Sequence, residues 1–574
     1  MVAIITGVCA VTWIVWRRDA VSLSSIASPT QTEWRAAVTI EPAVTLPSSI
    51  VFNAEPLPFR YERGDSGSAW PVEPIGGGVG IADFDGDGLQ DLFFAQGVPL
   101  PVRNDPAAPA DMLLRNRGGR EFEDVSSSAS IQSRGYGMGV AQADIDADGF
   151  PDVYVTRYGA NTLWQNQGDG GFRDVTEQAE VGCPLWSLGA AFADLDGDGD
   201  LDLFVANYFW FDPALAPFAR DPATGAADYG APSIFEGEPD FLYSNDGDGH
   251  FTEMHTEAGI DDRDRGMGVL AADFDKDGRM DIFVANDAQQ NTLWHNRGDG
   301  AFENVALSWG AAVNARGQTE ANMGIAYGDT DSDGNSDLFV THLVNEHDTL
   351  WRAHWAQQTV VFSDETYDAG LGHDSRKFTG WGTAFADFDL DGHLDIVVAN
   401  GHIRREGNQP FVYENLPLLW HNRGARFANV SDSAGPYFQS LAIARGLAAA
   451  DLDLDGDMDL VVVHHYERSV VLWNESPRRG ASLTVRLRGT GFNRQAIGAQ
   501  LVARIGERSI VRSIDGGGSY NSANDLQVHF GLGPVTLVDF LQVRWPSGLT
   551  TTLERVQVNQ HLETAENVSD RDNR

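Results

Sequence analysis

The sequence predicts an all-β fold: a seven-bladed β-propeller with acidic hairpin loops, followed by a small C-terminal β-module. Three observations carry that prediction. The pattern D-x-D-x-D-G-x-x-D begins at Asp83, Asp144, Asp194, Asp273, Asp329, Asp387 and Asp451, with spacings of 61, 50, 79, 56, 58 and 64 residues, periods that mark propellers and related arrays. Short β-forming runs flank the copies. A second signature follows most of them: an apolar pair, Asn, a Gly-rich turn, then Phe.

The chain opens on an apolar run from Met1 to Trp16, closed by Arg17-Arg18. As a helix this run covers about 24 Å, less than the ~30 Å hydrocarbon core of a bilayer. It lacks a basic n-region and an A-x-A cleavage site. Residues 1–20 therefore read as a signal-anchor or signal-like segment, which implies export and an N-terminal membrane anchor. Residues 21–47, rich in Ser, Thr, Pro and Ala, read as a linker.

Residues 48–478 carry the repeats. Small and apolar residues precede the aspartates, as in Leu188-Gly-Ala-Ala-Phe-Ala193, and Val, Ile and Phe follow, as in Leu203-Phe-Val-Ala206 and Ile396-Val-Val-Ala399. Such runs, bounded by Gly and Asp, read as buried strands, so each aspartate loop closes a β-hairpin. The second signature, as in Leu293-Trp-His-Asn-Arg-Gly-Asp-Gly-Ala-Phe302, is hairpin turn chemistry supplying positive φ. Four strands per unit make one blade. The seventh unit stops after Val470-Val-Leu-Trp473, and Ile50-Val-Phe-Asn53 with Phe59-Arg-Tyr61 resembles its missing strand. Closure through these residues removes two sheet edges. The fifth unit, Leu350-Trp-Arg-Ala-His-Trp355, lacks the Asn-Gly turn and predicts a remodelled outer hairpin.

Composition narrows the chemistry. A formal net charge of -43 repels nucleic acid and anionic membrane surfaces and favours divalent cations. Of two cysteines, Cys9 lies in the leading apolar run and leaves Cys183 alone, so there is no disulfide framework. Each acidic loop offers carboxylates at positions 1, 3, 5 and 9, a turn glycine at position 6 and a backbone carbonyl at position 7, a donor set suited to calcium. The predicted ligands are Asp83, Asp85, Asp87 and Asp91; Asp144, Asp146, Asp148 and Asp152; Asp194, Asp196, Asp198 and Asp202; Asp273, Asp275, Asp277 and Asp281; Asp329, Asp331, Asp333 and Asp337; Asp387, Asp389, Asp391 and Asp395; and Asp451, Asp453, Asp455 and Asp459. Up to seven Ca²⁺ ions follow. Without a cation, like charges about 4 Å apart repel by ~1 kcal/mol in water and ~4 kcal/mol at an effective dielectric of 20. An EF-hand is excluded because position 12 is Phe94, Val155, Val205, Val284, Val340, Val398 or Val462 instead of a bidentate Glu.

From Ala481 the aspartate loops stop and period-2 alternation begins, as in Leu483-Thr-Val-Arg-Leu-Arg488. Residues 479–567 read as a compact, mostly antiparallel β-module, and 568–574 as a tail. Its arginines either dock on the acidic ring or form a solvated strand face.

The seven hairpins resemble FG-GAP/VCBS repeats, the calcium-binding seven-bladed propeller of integrin α-subunits. Asn493-Arg-Gln-Ala-Ile-Gly-Ala499, Gly516-Gly-Gly-Ser-Tyr520, His529-Phe-Gly-Leu-Gly533 and Val543-Arg-Trp-Pro-Ser-Gly548 resemble the ASPIC/UnbV domain. Together they are similar to the cartilage-acidic-protein-like family over about residues 50–567. The resemblance implies calcium binding and export, and is uninformative about activity.

Two function classes follow. The first is an exported calcium-binding protein that binds a protein or glycan at the cell surface or in the periplasm. The second is an enzyme whose site lies opposite the calcium loops, where His342, His402, His464 and His465 follow second strands; polar capping explains the same histidines. On that face also lies an aromatic, proline-rich insertion between Tyr208 and Asp240, including Trp210. It reads either as a ligand-stacking loop or as a cover over the channel. There is no phosphate loop and no H-E-x-x-H or G-x-S-x-G motif. Two Arg-Gly-Asp tripeptides, at Arg63 and Arg297, suggest adhesion, but the second falls inside a hairpin turn that explains its Gly and Asp.

Overall fold

The structure, a computed structural model, describes residues 50–567 except 104, 106, 133–134, 215–218, 221–226, 248, 262, 357–358 and 404–412. The apolar N-terminal segment, the linker and the tail lie outside the described residues.

Among the described residues the repeat region forms seven antiparallel sheets built on four strands each, in sequence order in the first six. The first unit shows the plan: Val79–Ala82, Asp91–Phe94, Met112–Asn116 and Phe122–Asp124. In every unit the acidic loop joins the first strand to the second. First strands are made mostly of small and apolar residues; Ser187–Ala193 and Ala444–Ala450 are buried throughout, and only Tyr327 and Phe385 are half-buried in those of the fifth and sixth units. They touch one another in a closed cycle, the seventh unit's Ala444–Ala450 against the first unit's Val79–Ala82. The fold is thus all-β and propeller-like. Helix is confined, among the described residues, to short segments such as Thr176–Ala179 and Ala306–Trp309.

The seventh unit contains Ala444–Ala450, Asp459–His464 and Val470–Asn474, and Phe52–Pro56 completes it, pairing Phe52 with Asn474 and Pro56 with Val470. Phe59–Tyr61 does not extend that strand. Pro56 and Pro58 lack ladder donors; beyond them Phe59 stacks on Phe94 at 4.3 Å and Tyr61 bridges His465. In the fifth unit the outer hairpin is long, Thr349–Ala356 against Thr359–Asp364.

The C-terminal module has two sheets. Gln500–Ile505, Arg508–Ser513, Leu537–Arg544 and Thr550–Gln557 are antiparallel. Ala481–Arg488 pairs antiparallel with Val528–Gly533 and parallel with Gln560–Ala565. Between Ser513 and Val528 the chain enters the centre of the ring. Gly516–Gly517 adds to the first strand of the fourth unit at Leu270–Ala271. Ser519 bridges Ile325, and Ala523 bridges Gly80. Ser519 Oγ donates to the Leu447 carbonyl at 2.6 Å, and Asn524 Oδ1 accepts from Ala449 N–H at 2.9 Å. Glycine is required at the entry, because a Cβ on Gly516 would lie 2.2 Å from the Phe192 carbonyl and Gly517 has φ +82°.

The module also docks on the acidic loops. Arg486 Nη1 reaches Asp83 Oδ2 at 3.2 Å, His561 Nε2 lies 3.5 Å from Asp451 Oδ2, and His529 Nε2 donates to the Gly456 carbonyl at 2.9 Å. Arg488, by contrast, stays at the surface with Glu563. Both readings of the arginines therefore hold, for different residues.

Candidate metal centres and the opposite face

Each loop is built round its position-9 aspartate. That side chain is buried and both its oxygens accept backbone N–H groups. Oδ2 takes the position-2 N–H of its own loop at 2.7–3.3 Å. Oδ1 takes an N–H from the third strand at 2.7–3.1 Å. The position-6 glycine has φ between +89° and +101° in all seven loops, a left-handed conformation that favours glycine. In six of them its N–H donates to the position-1 carboxylate, as Gly88 does to Asp83 Oδ2 at 3.1 Å.

These constraints bring carboxylates together. Oxygens of Asp83, Asp85 and Asp91 lie within 4.8 Å of one another, as do those of Asp144, Asp146 and Asp152, and of Asp194, Asp196 and Asp202. In the first loop position 5 plays a local part, Asp87 Oδ1 accepting from Leu89 N–H at 2.9 Å, whereas in the sixth loop position 5, Asp391, joins the convergent group. In the fourth and sixth loops a histidine from the third strand joins the group, giving Asp275, Asp281 and His295, and Asp389, Asp391 and His421. In other units the same strand position also faces the loop, with Arg115 Nε 2.7 Å from Asp85 Oδ2 and Gln165 Nε2 2.5 Å from Asp146 Oδ2.

Burial, reinforced by neighbouring carboxylates, pushes Asp91 and Asp202 up to about 8, and Asp144, Asp387 and Asp451 up to about 7. Asp83 Oδ1, Asp329 Oδ1 and Asp451 Oδ1 are buried without a hydrogen-bond partner. Orphaned carboxylate oxygens in convergent oxygen-rich loops fit a hard divalent cation.

The asparagine of the second signature does more than form a turn. Asn296 N–H donates to Asp281 Oδ1, and its Nδ2 donates at 3.1 Å to the Met280 carbonyl and at 2.7 Å to the Leu195 carbonyl of the preceding unit's loop. Its Oδ1 accepts from Gly298 N–H at 2.9 Å. Asn116, Asn166, Asn245, Asn422 and Asn474 also reach the preceding unit's position-2 carbonyl. Ala353 holds this place in the fifth unit. The sequence showed the repeated Asn but not that its amide crosses to the neighbouring unit. Asn296→Ala strands two buried carbonyls and is expected to cost about 1–3 kcal/mol, read by denaturant unfolding with calcium present.

On the opposite face the histidines have separate partners. His402 Nδ1 meets Thr379 Oγ1 at 3.1 Å. His464 Nε2 accepts from the Tyr437 hydroxyl at 2.8 Å while its Nδ1 faces the Arg468 carbonyl at 3.0 Å. His465 Nε2 faces the Gly76 carbonyl at 2.7 Å and the ring stacks on Tyr61. His342 Nε2 meets Thr349 Oγ1 at 3.1 Å, beside Glu320 and His347, which sequence reasoning did not single out. The insertion packs on itself and its neighbours. Tyr208 is buried, bonded to Asp287, and Phe209 stacks on Phe235 at 4.5 Å, whereas Trp210 is 48% exposed. The first Arg-Gly-Asp is not presented for adhesion: Arg63 is buried, bound to Asp65 at 2.8 Å and to the Tyr413 hydroxyl at 2.6 Å.

Residues 489–571 match the family described as ASPIC and UnbV. Residues 83–155, 144–205, 233–284 and 273–340 match the FG-GAP-like repeat. Cartilage acidic protein 1 of Mus musculus is 26% identical over 358 residues, covering 58% of this chain and 50% of its own length. The Homo sapiens protein of that name is 27% identical over 316 residues, covering 52% and 43%. The chain thus spans about half the length of the curated relatives it matches. Among solved structures, a Burkholderia pseudomallei lectin aligns with a TM-score of 0.42 at 10% identity, covering 70% of this chain and 98% of that one. An Agrocybe aegerita lectin aligns at 0.36 and 16% identity, covering 63% and 81%. The chain is a protein of FG-GAP-like repeats with a C-terminal ASPIC/UnbV domain.

Proposed function

We propose that this chain is an exported, calcium-stabilised seven-bladed β-propeller that acts as a binding or interaction protein at the cell surface or in the periplasm. The observation that carries this reading is the division of the ring into two faces. The acidic loops and the C-terminal module occupy one face, and residues 516–524 fill the axis. That leaves the face with the aromatic insertion for a partner, where Trp210 stands exposed over a packed aromatic base. An exposed indole on a rigid support suits stacking on a glycan or anchoring a protein. The net charge of -43 directs the search away from nucleic acid. Relatives named for cartilage support an extracellular setting.

The test has two parts. Equilibrium dialysis should find several calcium ions per chain, up to seven. Glycan and protein arrays probed with calcium present should return a ligand whose binding falls at least about tenfold in Trp210→Ala, the loss expected of a hot-spot aromatic. A calcium-loaded chain that binds nothing on either array counts against the reading.

A further inference from the structure

The geometry points to a binding site for one divalent transition-metal ion of the zinc class, formed by Glu320, His342 and His347 and separate from the acidic loops. Glu320 lies in a two-residue strand, Glu320–Ala321, that pairs with Asp287 and Gln289 of the fourth unit. His342 stands just beyond Asp337–Val340, the second strand of the fifth unit, and His347 five residues further on in the same loop. The carboxylate and the imidazoles therefore come from neighbouring units, so an ion held here would tie the fourth to the fifth.

The distances suit one ion. His342 Nε2 lies 3.6 Å from Glu320 Oε2, and His347 Nδ1 lies 4.0 Å from Glu320 Oε1. Around a tetrahedral ion with bonds of about 2.0–2.1 Å, neighbouring ligand atoms are separated by roughly 3.3 Å, and both carboxylate–imidazole separations lie close to that value. Thr349 Oγ1, 3.1 Å from His342 Nε2 and 3.2 Å from Glu320 Oε2, adds an oxygen on the same side.

The polar accounting points the same way. His347 is 7% exposed, and its Nδ1, turned toward Glu320, is buried with no hydrogen-bond partner. His342 Nδ1 and Asp348 Oδ2 are buried and unpartnered as well. Unsatisfied buried polar atoms are rare in folded proteins and costly to keep; a metal bond to His347 removes one of them. Burial lowers the pKa of His342, favouring the neutral imidazole that ligates metal. The Glu320 carboxylate, facing both imidazoles, supplies negative charge toward a dication. Two imidazoles and a carboxylate suit zinc and its neighbours better than calcium, which takes oxygen donors. Tyr367, edge-on to His347 at 5.1 Å and exposed, marks the side open to solvent.

The experiment uses the full chain in excess calcium, which keeps the acidic loops out of competition. After zinc loading and desalting, metal analysis should find one zinc per chain, and cobalt in its place should give the visible absorption of a site with nitrogen ligands. Glu320→Gln and His347→Gln should each weaken zinc binding by more than about tenfold, since even outer-shell changes cost that much, while bound calcium stays unchanged. A His295→Gln/His421→Gln double variant should keep its zinc. Zinc retained equally by Glu320→Gln and His347→Gln overturns the assignment, as does zinc lost only from the double variant or never held by folded wild type. A chain that holds one zinc but no calcium leaves this site standing and removes the calcium reading instead.

Discussion

Stripping divalent cations with a chelator is expected to lower the melting temperature of this chain by on the order of ten degrees or more. In the first four loops the buried position-9 carboxylate and two further ligand atoms lie within 4.8 Å of one another. One cation site held at a hundredfold excess over its dissociation constant contributes about 2.7 kcal/mol. A few such sites match the ~5–15 kcal/mol by which a whole domain is stable. The pH dependence of the stripped protein gives an independent check. Asp91 and Asp202 titrate at about 8 in the folded state, above the ~3.9 of an unfolded aspartate. A raised folded pKa stabilises below the unfolded value, and that contribution is lost as pH rises through the folded value. Between pH 7 and 8.5, where unfolded histidine, at about 6.5, is already neutral, the stripped protein should melt lower as pH rises. Calcium, by displacing those protons, should flatten the dependence. A melting curve unchanged by excess chelator would sink the stabilising role.

Much of this arrangement was legible in the sequence because a repeated unit repeats its reasons. The position-6 glycine adopts one backbone conformation in all seven loops, and the apolar position 12 marks a buried strand each time. The seventh unit's missing strand was legible for a related cause: a sheet with three strands in sequence needs a fourth, and Phe52–Pro56 had the pattern. What stayed hidden depends on contacts between non-repeated parts. Nothing local in Gly516-Gly-Gly-Ser-Tyr520 says that it pairs with a strand more than two hundred residues earlier in the chain. The amide of Asn296 reads as a turn until the Leu195 carbonyl is placed beside it. Histidines that follow equivalent strands looked like one cluster. The structure gives each its own partners and groups His342 with Glu320 from the preceding connection.

Tyr520→Ala is expected to cost about 3–5 kcal/mol, the range for truncating a large buried aromatic, and to uncouple the module from the ring. Tyr520 is fully buried. Its ring meets Trp381 edge-on at 4.8 Å and its hydroxyl donates to the Ile75 carbonyl at 3.0 Å. The Arg445 guanidinium also packs on Trp381, 4.1 Å from the ring centre, and is bonded to the Gly401 carbonyl at 3.1 Å. One side chain of the module thus anchors contacts to the first, sixth and seventh units at once. Wild type should unfold in one transition in calcium. Tyr520→Ala should show two, with protease cutting between Glu475 and Gly480, where the chain passes from the ring to the module. Tyr520→Phe keeps the ring, loses only the bond to Ile75 and should stay within about 1–3 kcal/mol of wild type. If Tyr520→Ala melts and resists protease as wild type does, the module is held by its loop-face contacts and the remaining bonds of residues 516–524 without Tyr520. If it does separate, Asp83 loses Arg486 and Asp451 loses His561. Calcium affinity at the first and seventh loops should then rise, because each position-1 carboxylate is freed from a neighbouring competitor.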